Sequence, residues 1–205
     1  MPPRNTANAQ RTSNALGRFA SPVILLALMW LVQIVDAILP GSFTGFGLRS
    51  WDLSGLGGIV LAPLLHANWA HLIANSVPFL VLGCLVAVEG ARRFWAVTAI
   101  IAIVGGIGTW VFNAPGTLTV GASGLVFGYF GYVVLRAFAS GRVAHRILYA
   151  VIAIVVVALY GGTMLAGVFG VAEGVSWQGH LFGAIGGGVA ALASRRRPDR
   201  DALTR

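Results

Sequence analysis

Residues 179–187 read GHLFGAIGG, and residues 121–124 read GASG. In the first stretch Gly179, Gly183 and Gly187 recur every four residues, which on a helix leaves one face as almost bare backbone. The second opens a segment in which Gly124, Gly128 and Gly131 offer a similar face. Faces of small residues let two helix axes approach closely in lipid, where apolar burial between helices no longer drives association. Ser123 and His180 stand at the starts of these two segments, so packing the glycine faces together brings an imidazole within reach of a hydroxyl.

The rest of the chain has the composition that such a pair of helices requires. Of 205 residues, 57% are hydrophobic and only 10% charged, and the mean hydropathy is +0.83, a balance far from that of a soluble domain. A hydrocarbon core about 30 Å thick needs roughly 20 apolar residues per helix. Runs of that kind predict six spans, at 22–39, 69–88, 94–112, 120–138, 147–165 and 177–193. The expected fold is an all-α membrane protein, a six-transmembrane-helix bundle over residues 21–194. Residues 1–20 read as a disordered cytoplasmic tail and 195–205 as a basic cytoplasmic C-terminal tail. Pro40 to Leu65 is too broken by Pro40, Asp52, Pro63 and glycine to span, yet Trp51 and IVLAPLL favour the membrane interface. It is expected to be a partly membrane-embedded first loop.

The formal charge of +8 comes from arginine alone. Arg4, Arg11 and Arg18 precede the first span, Arg92 and Arg93 follow the second, Arg136, Arg142 and Arg146 lie near the fourth-to-fifth connection, and Arg195 to Arg197 follow the sixth. With six spans these fall on one side, and Arg49 is the only arginine in the opposite loops. The positive-inside rule then places both termini in the cytoplasm of a multi-pass cell-membrane protein. Arginines so divided make no nucleic-acid patch, but basic tails suit anionic lipid headgroups. Cys84, the single cysteine, sits in an apolar run and reads as helix packing.

Polar groups within spans raise a functional question by default. Ser123, His180, His71 and Asn75 all fall in the first turns of helices entering from the outer face, at a similar shallow depth. Ser123 is flanked by small residues at a helix start that offers free N–H donors and a positive dipole end. His71 and Asn75, four apart, share a helix face and can donate toward one point, as an oxyanion requires. Each also has a plain structural reading: a serine in a small-residue crossing, or polar residues at the wet end of a helix. His66 reads as a loop anchor and His145 as a cytoplasmic surface residue. The spacing of His66 and His71 does not suit a metal, and no metal or cofactor is expected. Asp36, Asp52 and Glu173 have no evident place as a triad orienter, so a Ser123/His180 dyad is expected. Glu89, beside Arg92 and Arg93, reads as an ion pair or loop tether.

From Leu48 to Ala193 these motifs resemble the rhomboid family of intramembrane serine proteases. HANWAHLIAN (66–75) resembles its HxxxxHxxxN pattern, GASG its GxSG nucleophile motif, and GHLFGAIGG its GHxxGxxxG sixth helix. The resemblance implies Ser123 as nucleophile and His180 as base, with His71, Asn75 and the Ser123 N–H holding the oxyanion. It implies a cavity lined by Gly121 and Phe127 that opens to the extracytoplasmic face, no cofactor, and substrates that are transmembrane proteins with locally weakened helices. Two positions depart from the pattern. Phe127 stands where many members have tyrosine, keeping a stacking surface without the hydroxyl, and Arg49 and Trp51 are separated where an adjacent Trp-Arg pair is common.

Two other functions fit parts of the sequence. A catalytically silent rhomboid-like protein would use the same cavity to bind transmembrane helices, although such proteins usually lose the serine or the histidine. A transporter or channel would need polar groups continuing across the membrane, whereas the fourth and sixth segments are apolar beyond Ser123 and His180.

Overall fold

A computed structural model describes residues 17–139, 147, 150–155, 157, 158 and 175–194. The described chain is mostly helical. Helix α1 (Ala20–Ile38), α2 (Trp69–Ala87) and α3 (Ala91–Phe112) are each long and apolar enough to cross a membrane. Helices α4 (Ser123–Ala139) and α6 (Trp177–Ala193) have 17 residues each, about 25 Å at 1.5 Å per residue. Residues 150–155, labelled α5, are helical; the remainder of the expected fifth span lies largely outside the described residues. Outside them too lie residues 1–16 and 195–205 of the two expected tails, His145 and Glu173.

Local signals explain where the helices begin and turn. Asn68 caps α2 by accepting the His71 N–H at 2.9 Å, and Ser176 caps α6 by accepting the Gly179 N–H at 3.1 Å. Gly90, at φ +107°, makes the reversal between α2 and α3 that a residue with a Cβ resists. Pro78 lies inside α2 and is buried.

Helix α4 packs against α2, α3 and α6. Its Tyr129 and Tyr132 are fully buried beside Phe79, Phe94 and Leu72, and the Tyr129 hydroxyl is 2.7 Å from Thr98 Oγ1, so this polar atom is paired. Helix α1 flanks the bundle on α2, where Trp30 Nε1 donates to Ser76 Oγ at 3.1 Å.

The α4/α6 crossing is made by glycine. A Cβ on Gly183 would run into the Gly124 carbonyl, one on Gly187 into the Gly128 carbonyl, and one on Gly131 into the Ala184 carbonyl. Gly128 itself faces Ile101 of α3. Near the start of α6 the approach is looser: Cβ atoms on Gly124 or Gly179 would meet nothing nearer than 3.4 Å.

The connection from α1 to α2 is folded rather than extended. It contains 3₁₀ turns at Phe43–Phe46, Leu53–Gly57 and Ala62–Leu64 and a helical turn at Gly58–Leu61. One feature departs from the all-α expectation: β1 (Leu48–Arg49) pairs antiparallel with β2 (Leu118–Thr119), Leu48 opposite Thr119. Two-residue strands carry no period-2 pattern long enough to read. Trp51 is held at φ +64°, stacked on Trp110 with ring centroids 5.9 Å apart. Trp51 Nε1 donates to the Asn113 carbonyl and Trp110 Nε1 to the Asp52 carbonyl, both at 3.0 Å.

At the other end of the helices, Glu89 accepts two bonds from Arg136, at 2.9 and 3.0 Å, and lies 3.7 Å from Arg93. The sequence pointed to its neighbours Arg92 and Arg93; the principal partner is Arg136 of α4, whose guanidinium meets both carboxylate oxygens. Arg93 donates in turn to Ser194 Oγ at 2.7 Å, at the end of α6.

Candidate active site

Ser123 is the first residue of α4 and His180 lies in the first turn of α6. Helix starts leave their first N–H groups without intrahelical partners, so the Ser123 hydroxyl stands beside unspent donors. Ser123 Oγ and His180 Nε2 are 2.9 Å apart. Ser123 is half-buried and His180 is 7% exposed, so the imidazole lies away from bulk water while the hydroxyl remains approachable. Phe127, one turn along α4 from Ser123, lies flat on the His180 ring, with centroids 4.0 Å apart and planes 3° from parallel. The ring is thereby held in one plane without losing its hydrogen bond to the serine.

The turn before Ser123 is bound from the first loop. Gly121 N–H donates to the Ala62 carbonyl at 2.8 Å, and Ala122 N–H donates to His66 Nε2 at 3.3 Å. His66 is thus the loop anchor its position suggested, with a target that the sequence did not disclose. Burial pushes its imidazole down to about 4, and the neighbouring His71 adds to the shift. A neutral His66 is what the contact needs, because a protonated Nε2 cannot accept the Ala122 N–H.

His71 meets the same turn from α2. Gly121 has φ +116°, and a Cβ there would lie 2.5 Å from His71 Cε1 and 2.7 Å from Nε2. Only glycine meets both conditions. Asn75 is buried one turn further along α2, but its Nδ2 donates to the His71 carbonyl at 3.0 Å. His71 thus borders the turn before Ser123, whereas the Asn75 amide donates within its own helix. Ser123, His180, His71, Asn75, Gly121 and Phe127 all border one cavity of about 850 Å³.

Two polar residues at this site have no counterpart in the sequence reading. Asn113, at the end of α3, and Ser176, at the start of α6, are linked at 3.3 Å. Neither belongs to a recognisable spacing, and only Ser176, a cap residue ahead of an apolar run, had a local signal. Among the described residues no group of three or more His, Cys, Asp or Glu side chains could hold a metal ion.

A family model described as the rhomboid domain matches residues 50–197. The chain belongs to the rhomboid family. This rhomboid is 43% identical over 173 residues to an uncharacterized protein of Mycobacterium tuberculosis, covering 81% of the present chain and 70% of the relative. An uncharacterized protein of Mycobacterium leprae is 42% identical over 173 residues, with 81% and 67% covered. The Bacillus subtilis protein named "Putative rhomboid protease YdcA" is 30% identical over 186 residues, which is 86% of this rhomboid and 87% of that protein.

Proposed function

We propose that this rhomboid is an intramembrane serine endopeptidase that hydrolyses peptide bonds in or near the transmembrane segments of other membrane proteins. The observation that carries the reading is the 2.9 Å contact between Ser123 Oγ and His180 Nε2 at two helix starts. In this reading six spans cross the cell membrane, both termini are cytoplasmic, and the cavity opens to the extracytoplasmic face, the arrangement that the arginine distribution favours.

His180 takes the hydroxyl proton as Ser123 Oγ attacks the scissile carbonyl, and then gives that proton to the leaving amine. His71 and the Ser123 N–H stabilise the oxyanion, joined by Asn75 through its second amide hydrogen. Water, activated by the same imidazole, then releases the acyl group from Ser123. An intact substrate helix shields its peptide bonds, so the segment must unwind where the cavity admits water. No cofactor enters this chemistry, and lipid surrounds the protein without taking part.

The test uses purified protein in liposomes with a panel of transmembrane substrates. Wild type is expected to cut at least one, with Ser123→Ala and His180→Ala each at least about a thousand-fold slower. Binding of the same segments without cleavage by folded wild type would instead support a silent helix-binding protein.

A further inference from the structure

The glycine crossing brings α4 and α6 together as far as Gly183, which meets the Gly124 carbonyl next to Ser123, and ahead of that contact hydrogen bonds hold the chain. Gly183 and Gly187 leave no room beside α4, whereas the Gly124 and Gly179 pair at the mouth stands at ordinary van der Waals distance. A tie ahead of that contact bears on the chemistry, because an error of about 1 Å between reacting groups can cost on the order of a hundredfold in rate.

The structure assigns this tie to Asn113, as a positioning residue for the Ser123/His180 pair. Asn113 is 7% exposed and ends α3, with its own N–H bonded to the Thr109 carbonyl. Its carbonyl accepts the Trp51 indole N–H, which anchors the residue to the first loop. The side-chain nitrogen has two hydrogens and two partners: Thr119 Oγ1 at 3.1 Å and Ser176 Oγ at 3.3 Å. Thr119 belongs to β2 and leads through Gly121 to Ser123. Ser176 caps α6 through the Gly179 N–H, and its carbonyl accepts the His180 N–H at 3.3 Å. One planar amide therefore joins the strand that delivers the nucleophile to the cap that starts the helix of the base.

This inference rests on the protease reading, and the experiment separates the two. In detergent, a fluorophosphonate probe labels Ser123 with loss of fluoride, and its rate is measured beside kcat and KM for a transmembrane substrate and the melting temperature. Asn113→Leu, close in size but without donors, is expected to slow labelling and kcat by about 10- to 100-fold with KM within about twofold. Thr119→Val removes one arm and is expected to cost about 3- to 10-fold; Ser176→Asp keeps an acceptor for both N–H groups and stays within about threefold. A role confined to stability would lower the melting temperature and leave the labelling rate of folded protein unchanged. Labelling of Asn113→Leu and Thr119→Val at the wild-type rate would overturn the assignment, and Thr119→Val decides alone if Asn113→Leu does not fold. Wild type labelled no faster than Ser123→Ala would overturn the nucleophile reading, and this inference with it.

Discussion

The Phe127 ring does for His180 what a hydrogen bond does elsewhere: it restricts the plane in which the imidazole meets the serine. Stacking of this kind contributes about 0.5–1.5 kcal/mol beyond area burial, and the larger effect is on geometry. Phe127→Leu is expected to lower kcat by about tenfold with little change in KM, because the base loses orientation and substrate contacts remain. Phe127→Tyr preserves the stack and should stay within about threefold; initial rates on one transmembrane substrate distinguish the two. The juxtaposition of Ser123 and His180 was legible because both stand in glycine-rich strings, whereas Phe127 drew notice only through the resemblance to the family. Asn113 was not legible, since an asparagine at the end of an apolar run has no partner that spacing can name. Nor was the bond from Asn75 to the His71 carbonyl legible, because four-residue spacing gives a shared face but not a rotamer.

At the scale of elements, the crossing of α4 and α6 depends on the absence of particular Cβ atoms. Gly187→Ala would press a methyl group against the Gly128 carbonyl, and backbone cannot yield as a flexible side chain does. The expected cost is about 1–3 kcal/mol or more, seen as a lower melting temperature in detergent or failure to fold. Gly188→Ala, where a Cβ would meet only the Leu135 side chain at 3.8 Å, is expected to be near neutral. The glycine period announced this crossing, and apolar runs announced the helices, with α1, α2 and α4 starting within three residues of the expected positions. The β1/β2 pairing stayed hidden, because its four residues are selected by the tertiary fit of the first loop and not by local propensity.

Beyond single helices, the first loop and the turn before Ser123 are joined through His66. Its imidazole is neutral in the fold down to about 4, facing His71 with ring centroids 5.1 Å apart, whereas an unfolded histidine protonates near 6.5. Between these values the unfolded chain binds a proton that the folded chain does not. Stability from this residue is therefore intact above about 6.5 and is lost as pH falls toward 4, by up to roughly 3 kcal/mol. Melting curves in detergent between pH 7 and 4.5 should show the decline, reduced in His66→Gln, whose amide oxygen can still accept the Ala122 N–H. The charged cluster of Glu89, Arg93, Arg136 and Ser194 fastens α3, α4 and the end of α6 at the end of the bundle away from Ser123. That fastening and the glycine crossing together oppose tilting of α4 against α6. For a helix of about 25 Å, a tilt of roughly 5° about the fastened end would move the far end by about 2 Å, so resistance to tilt matters most where the hydroxyl and imidazole meet.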